Sequence, residues 1–259
     1  MTPADLDRVF GRGRLRMTTG EHVEVYRDDT PPGEPRRFSK RFLETPAGDF
    51  RPWTERERRV LQQLARVPEA AVAKVVRFAG VVPAGPSLLQ TADAGATVEQ
   101  WATLVPLRRG GATLRNAVED CAHWWALARQ CLRALEPLHA QGFVHLDLKA
   151  DNVCIPWEPA DARPAAGQPL APRFDALALI DVAFSLVPGV ELSEPLPLAA
   201  EPSFEYQSPR LLEALEQGRR GRLGATRDLD WRCDLFSLAA MLWRYLPEAE
   251  DGASAGWTA

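Results

Sequence analysis

The sequence predicts an α+β fold made of two lobes, a β-rich first lobe and a mostly helical second lobe. Short runs of alternating apolar and polar residues occupy about the first ninety positions, which is typical of half-buried strands. From Ala94 onward, apolar residues recur at spacings of three and four, which is typical of helices that face a core. We therefore place the boundary near Gln90–Gly95, with a first lobe over residues 1–92 and a second over residues 93–259.

The first lobe is predicted to hold strands around one main helix. Its elements, in order, are strands over Val23 to Arg27 and Arg37 to Leu43, a helix over Pro52 to Arg66, and strands over Val75 to Val82 and Ser87 to Gln90. The second strand places Phe38, Lys40 and Phe42 on one face, because side chains alternate along a strand. Asp28 to Pro35 is rich in turn-forming residues and separates the first two strands.

The second lobe is predicted to be built around two apolar helices. They span Ala117 to Gln141 and Cys233 to Leu246, with short strands near Val153 to Ile155 and Ala176 to Ile180. The core-facing stripe of the first helix consists of Trp124, Leu127, Cys131, Leu135 and Leu138, and Gly142 ends the helix. Residues 156–173 contain five prolines and a glycine, which predicts a surface insertion without a regular element.

Composition and charge exclude several classes of protein. The formal net charge of −4 argues against a broad nucleic-acid surface, and no apolar run approaches the length of a membrane-spanning helix. The acidic N-terminus lacks the apolar centre of a signal peptide, so we expect the chain to be cytoplasmic. Its four cysteines form no C-x-x-C pair, and we expect reduced thiols.

Lysine is unusually rare. Of the 31 lysines and arginines, the lysines are only Lys40, Lys74 and Lys149. An ammonium and a guanidinium differ in shape, hydration and hydrogen-bonding geometry. Each of the three lysines is therefore a candidate for a specific role.

The most specific motif lies between His145 and Asn152, with the pattern H-x-D-x-K-x-x-N. Asp147 can accept or orient the proton of a hydroxyl group, and Lys149 can neutralise charge on a phosphoryl group in transfer. Asn152 can ligate Mg²⁺ through its amide oxygen. A chance match in a chain of this length is on the order of one in a thousand, so a simple polar loop is the weaker interpretation.

With this motif the sequence resembles the eukaryotic-type Ser/Thr protein kinases of bacteria, over about Gly13 to Leu246. The resemblance implies a bilobal kinase-like fold, ATP and Mg²⁺ as cofactors, and a protein substrate. It implies that Asp147 and Lys149 are catalytic and that Asn152 binds the metal. Lys149 distinguishes this pattern from that of tyrosine kinases and of most aminoglycoside-phosphotransferase-like enzymes.

A second landmark of the family is an Asp after a short strand, at the D-F-G position. Asp181 follows such a strand, and the resemblance implies that it holds Mg²⁺. Val182 and Ala183 replace the Phe and Gly of the family pattern. Because Ala has less backbone freedom than Gly, we expect a stiffer motif.

Two further segments resemble structural parts of a kinase. Ser203 stands where a Thr hydroxyl of the activation segment bonds the catalytic Asp and Lys, and Arg210 replaces the Glu of A-P-E. Asp234 begins a segment like D-x-W-S-x-G, which implies that it accepts backbone N–H groups around His145.

An ion pair is expected in the first lobe. Glu57 falls on the apolar face of the predicted helix, where an unpaired carboxylate carries a large desolvation penalty. Lys40 is the natural partner and matches the strand Lys of the family, so the pair would hold the nucleotide phosphates. Glu55 is the competing acid, and a solvated Lys40 is the competing interpretation.

The nucleotide-binding segment departs from the family pattern. The predicted turn before the first strand contains Thr18, Thr19 and Gly20, with one glycine where the family has three. We expect these residues to face the phosphates, with fewer N–H groups able to approach closely. Gln90 and Ala92, at the lobe boundary, are further candidate contacts of the nucleotide.

Two substitutions bear on activity. Phe38 occupies the place of a small residue above the adenine, where it would either stack on the base or fill its pocket. Leu146 replaces the Arg that reads a phosphorylated activation loop, so activity would need no such phosphorylation.

Three functions therefore compete. The leading hypothesis is an active Ser/Thr protein kinase, the second is a pseudokinase that binds nucleotide or serves as a scaffold, and the third is a small-molecule kinase. Only thirteen residues follow Leu246, so the last helices of the family are missing from this chain. Either the fold is trimmed, or further domains continue beyond residue 259.

Overall fold

The structure is a computed structural model, and it combines helices with small antiparallel sheets. It describes residues 16–20, 23–27, 37–42, 44–46, 48–49, 52–69, 74–75, 78–82, 88–92, 94–104, 121–158, 171–189, 205–220, 226 and 228–244. The predicted α+β class is confirmed. The predicted break over Asp28 to Pro35 and the site residue Ser203 lie outside the described residues.

The described elements are numbered in chain order. The strands are β1 (Arg16–Gly20), β2 (Val23–Arg27), β3 (Arg37–Phe42), β4 (Glu44–Thr45), β5 (Gly48–Asp49), β6 (Phe78–Val82), β7 (Leu88–Ala92), β8 (Ala96–Thr97), β9 (Val153–Ile155), β10 (Trp157–Glu158), β11 (Ala171–Pro172) and β12 (Ala178–Leu179). The α-helices are α1 (Pro52–Leu64), α2 (Val98–Leu104), α3 (Cys121–Ala140), α4 (Pro209–Arg219) and α5 (Arg232–Arg244). None of these helices has both the length and the apolarity to cross a membrane.

The largest sheet is five-stranded and antiparallel, in the order β1-β2-β3-β7-β6. Strand β3 lies at its centre, where Lys40 is opposite Val25 of β2 and Leu89 of β7. A second sheet joins β8, β9 and β12. Helix α1 contacts β3 and β7, which brings its buried face against the face of the sheet that carries Lys40.

Two predictions about the first sheet are wrong. Thr18, Thr19 and Gly20 belong to strand β1, which pairs with β2, and not to a turn. The β-branched threonines favour a strand, and the pairing shifts register between Thr18 and Gly20, where the glycine tolerates the irregularity. Val75, the first residue of the predicted strand over Val75 to Val82, lies outside the observed strand β6 and makes an isolated parallel bridge with Leu179.

The structure confirms the predicted core-facing stripe of the long helix α3 and its predicted end at Gly142. Gly142 has a φ of 77°, which is the left-handed conformation that glycine adopts at low cost. The N–H of Gly142 bonds to the carbonyl of His139, and the N–H of Phe143 bonds to that of Leu138. This Schellman motif turns the chain directly into the His145 to Asn152 segment.

Helix α4 is not among the predicted elements, although it carries a recognisable start signal. The hydroxyl of Ser208 accepts a hydrogen bond from the N–H of Leu211, and Pro209 is the first helical residue. A Ser cap followed by Pro is a favoured helix start.

The Pro-rich insertion has regular structure at its two ends, contrary to the prediction. Strands β10 and β11 pair antiparallel, and the N–H of Arg173 bonds to the carbonyl of Pro156 at 2.8 Å. These bonds close the base of the insertion next to β9. Residues 159–170 lie outside the description.

One apolar cluster extends through most of the described chain. It includes Val60 and Leu61 of α1, Leu135 of α3, Leu179 of β12 and Met241 of α5. The indole N–H of Trp124 also donates to the carbonyl of Leu242, which fixes α3 against α5. The cysteines whose side chains are described, Cys131, Cys154 and Cys233, are buried.

We predict that Gly95→Ala destabilises the fold by about 3 kcal/mol, because Gly95 has a φ of 94° and an added Cβ would lie 2.5 Å from the Cα of Pro156. Gly218→Ala is the matched control, since its Cβ would meet nothing within 4 Å in helix α4. That control is expected to gain about 0.5 to 1 kcal/mol. Urea denaturation measures both, and equal effects would contradict the assigned contact.

Candidate active site

Asp234 anchors the loop that carries the H-x-D-x-K-x-x-N motif. Its buried carboxylate accepts the N–H groups of His145 and Leu146, both at 2.8 Å. Nε2 of His139 lies 2.8 Å from the same carboxylate. The predicted role of Asp234 as a brace for this loop is confirmed.

The loop contains one strained residue, held by the anchor. Leu146 has a φ of 63°, and a left-handed conformation costs a non-glycine residue about 1 to 2 kcal/mol. The bond from its N–H to Asp234 and the burial of its side chain offset this cost. This conformation turns the chain at the residue before Asp147.

The motif residues Asp147, Lys149 and Asn152 come together as the sequence predicts. Nζ of Lys149 lies 3.0 Å from Oδ2 of Asp147, and the amide nitrogen of Asn152 donates to the same oxygen at 2.8 Å. Desolvation raises the pKa of Asp147, while the Lys149 charge opposes the shift. The result is a buried carboxylate that is oriented by an amide and neutralised by an ammonium.

His145 joins this loop to the segment that carries Asp181. Its Nδ1 accepts the N–H of Asp147 at 3.3 Å, and its Nε2 lies 3.0 Å from the carbonyl of Ile180. Since a carbonyl only accepts, Nε2 is the donor in the bond to Ile180. The N–H of Ile180 in turn donates to the carbonyl of Asn152 at 3.0 Å.

Lys40 forms the predicted ion pair and a second one with Asp181. Its Nζ lies 3.1 Å from Glu57 and 2.6 Å from Asp181. The competing acid, Glu55, instead pairs with Arg58 and Arg59 on the outer side of α1. The choice of Glu57 over Glu55 is therefore confirmed.

The protonation of this cluster follows from burial and proximity. Burial alone would lower the pKa of Lys40, but Asp181 and Glu57 together outweigh it and raise that pKa. Desolvation raises the pKa of Glu57 to about 7, against the opposing charge of Lys40. Burial also acts to raise the pKa of Asp181. The charge of the Lys40 ammonium outweighs this effect, so the pKa of Asp181 is lowered. Lys40 thus remains charged beside an ionised Asp181, with Glu57 as its second acidic neighbour.

Asn152 and Asp181 offer the oxygen donors that Mg²⁺ prefers. The amide nitrogen of Asn152 is used by Asp147, so its oxygen is the atom left to face a cation. In the part of the chain that the structure describes, no three His, Cys, Asp or Glu side chains cluster as a metal site. The residues present fit a Mg²⁺ ion held by one carboxylate and one amide, with substrate phosphates as further ligands.

The candidate nucleotide contacts Gln90 and Ala92 lie on β7. The main chain of Gln90 pairs with Ser39 and that of Ala92 with Arg37. Ser39 and Arg37 alternate along β3 with the residues on the face that carries Lys40.

Phe38 does share that face with Lys40. It is half-buried and packs against the main apolar cluster. Thr18, Thr19 and Gly20 lie on β1, two strands away from β3, and only their main chain is described.

Two residues with defined contacts were not predicted. Arg56 donates to the carbonyls of Ala183 and Ser185, next to Asp181. The sequence indicates Arg56 only by its position, because it lies three residues after Trp53 and so on the same, buried face of α1. Lys74 donates to the carbonyl of Asp175.

Comparison with protein-family models finds no match to this chain. Comparison with curated proteins finds no significant match either.

We predict that Asp234→Asn lowers the free energy of unfolding by about 3 kcal/mol, because the amide has one acceptor oxygen and leaves one of the two buried N–H groups without an acceptor. Asp228→Asn, at an exposed position in the turn before α5, is the control and should change stability by less than about 0.5 kcal/mol. Chemical denaturation tests both variants. Equal stability of Asp234→Asn and the parent protein would contradict the role of the anchor.

Proposed function

We propose that this chain is a Ser/Thr protein kinase with a bilobal fold, which transfers the γ-phosphoryl group of ATP to a protein hydroxyl. One observation carries the proposal. The cluster of Asp147, Lys149 and Asn152 is joined, through the hydrogen bonds of His145 and Ile180, to the cluster around Lys40. The first lobe would comprise residues 1–92 and the second would begin at residue 93.

Asp147 would receive the hydroxyl group of the substrate. Its Oδ2 is fixed by Asn152 at 2.8 Å, so the carboxylate is oriented before substrate binds. Its raised pKa makes it a better proton acceptor than an exposed Asp. Ser203, which lies outside the described residues, would bond to Asp147 and Lys149.

The two lysines would supply positive charge on either side of the transferred group. Lys149 is held beside Asp147, where it would stabilise the phosphoryl group as it moves. Lys40 is held by Glu57, so its ammonium would neutralise the other phosphates of the nucleotide. Asn152 and Asp181 would hold Mg²⁺, which when bound neutralises charge on the phosphates.

Phe38 favours a second candidate, a pseudokinase that binds nucleotide or serves as a scaffold. Its aromatic ring, on the Lys40 face of the sheet, occupies space near the expected base site. An aromatic residue there supports base stacking and equally restricts the pocket. The functional experiment must therefore separate binding from transfer.

We predict that the protein transfers label from γ-radiolabelled ATP to itself or to casein when Mg²⁺ is present. Asp147→Asn should lower the rate by about 10²-fold or more while Mg-ATP still raises the melting temperature. Asp181→Asn should lose both transfer and Mg²⁺-dependent stabilisation, because it removes the carboxylate ligand. Adding EDTA should abolish transfer in every variant.

Asp175→Asn is the control, since this acid is exposed and its side chain contacts Arg173. Its transfer rate should equal that of the parent protein. Stabilisation by Mg-ATP without any transfer would favour the pseudokinase. Transfer only to a small-molecule hydroxyl would favour the small-molecule kinase, and transfer that survives both site substitutions would contradict the assigned residues.

A further inference from the structure

One face of helix α1 contacts the residues that follow Asp181. The carboxylate of Glu57 lies close to the main chain of Val182. The ring of Trp53 stacks on that of Phe184, with centroids 4.7 Å apart. Because positions 53, 56 and 57 lie on the same side of a helix, α1 holds this segment along several consecutive residues.

Arg56 makes the strongest of these contacts. Its Nε donates to the carbonyl of Ala183 at 2.7 Å, and its Nη2 donates to the carbonyl of Ser185 at 2.6 Å. The side chain is 6% exposed, and burial lowers its pKa to about 10, so it remains protonated at neutral pH. A planar guanidinium presents donors in fixed directions, which suits two carbonyls held at a set distance, whereas an ammonium does not.

These contacts fix a segment that begins with a strained residue. Asp181 has a φ of 60°, which a non-glycine residue adopts only when its surroundings impose it. Ala183, two residues on, is 0% exposed and lacks the backbone freedom of glycine. Removing the bonds to Ala183 and Ser185 would therefore release the carboxylate of Asp181 from its place beside Lys40.

We propose that Arg56 is a positioning residue that holds Asp181 in its metal-binding place, so that the site is assembled without phosphorylation of the chain. This inference rests on the proposed kinase function. A basic residue that read a phosphorylated segment would be free to bind its phosphate, whereas Arg56 is buried against main-chain carbonyls. The bonds from Arg56 to Ala183 and Ser185 therefore hold the segment after Asp181 in place, a role that a phosphorylated residue would otherwise serve.

The test compares phosphatase-treated parent protein with Arg56→Ala, Arg56→Lys and the control Arg59→Ala. Arg59 lies on the same helix, is exposed and pairs with Glu55, so its loss should leave transfer unchanged. We expect the treated parent to be fully active and Arg56→Ala to lose about 10²-fold in kcat, with a higher Mg²⁺ concentration for half-maximal rate. Added guanidinium ion should restore part of that activity, and Arg56→Lys should not recover it.

Hydrogen exchange of the amides at residues 182–185 gives a readout that needs no catalysis. We expect faster exchange in Arg56→Ala than in the parent, with Arg59→Ala unchanged. Unchanged exchange in Arg56→Ala would overturn the inference even if no condition gives phosphoryl transfer. A parent protein that transfers phosphate only after it has itself been phosphorylated would overturn the inference and leave the proposed function standing.

Discussion

The ammonium of Lys40 is the charge on which this site depends. It lies between Glu57 of helix α1, at 3.1 Å, and Asp181, at 2.6 Å. A buried charge without a partner costs several kcal/mol, so removing Lys40 would leave two neighbouring acidic side chains without an opposing charge. The central sheet, helix α1 and the segment after β12 are therefore held in one arrangement by electrostatics as well as by apolar packing.

Asp234 performs the corresponding role for the motif loop, with hydrogen bonds in place of ion pairs. The strained residues Leu146 and Asp181 are each bound directly to one of these two charged groups. Backbone strain of this kind persists only where surrounding contacts impose it, and it concentrates at functional sites. His145 connects the two regions through its hydrogen bonds to Asp147 and Ile180.

The sequence is sufficient to find residues whose chemistry conflicts with their position. Glu57 is identified because a carboxylate on an apolar helical face needs a partner. Helix α3 is identified because its apolar stripe and the glycine after it indicate the same end of the helix. The strand at Thr18 to Gly20 was missed because Gly20 was interpreted as part of a turn, although the β-branched threonines before it favour a strand. Arg56 was missed because its partners lie 127 and 129 positions away, and such contacts leave no local periodicity.

A double-mutant cycle between Lys40 and Asp181 measures most directly whether one ammonium joins these elements. The free energies of unfolding of Lys40→Met, Asp181→Asn and the double variant are compared with that of the parent protein. We expect a coupling energy of about 2 kcal/mol, as residues in one ion-pair network show, and additivity within about 0.5 kcal/mol for Lys40→Met with Glu55→Gln. Additive effects in both cycles would contradict the central role of Lys40.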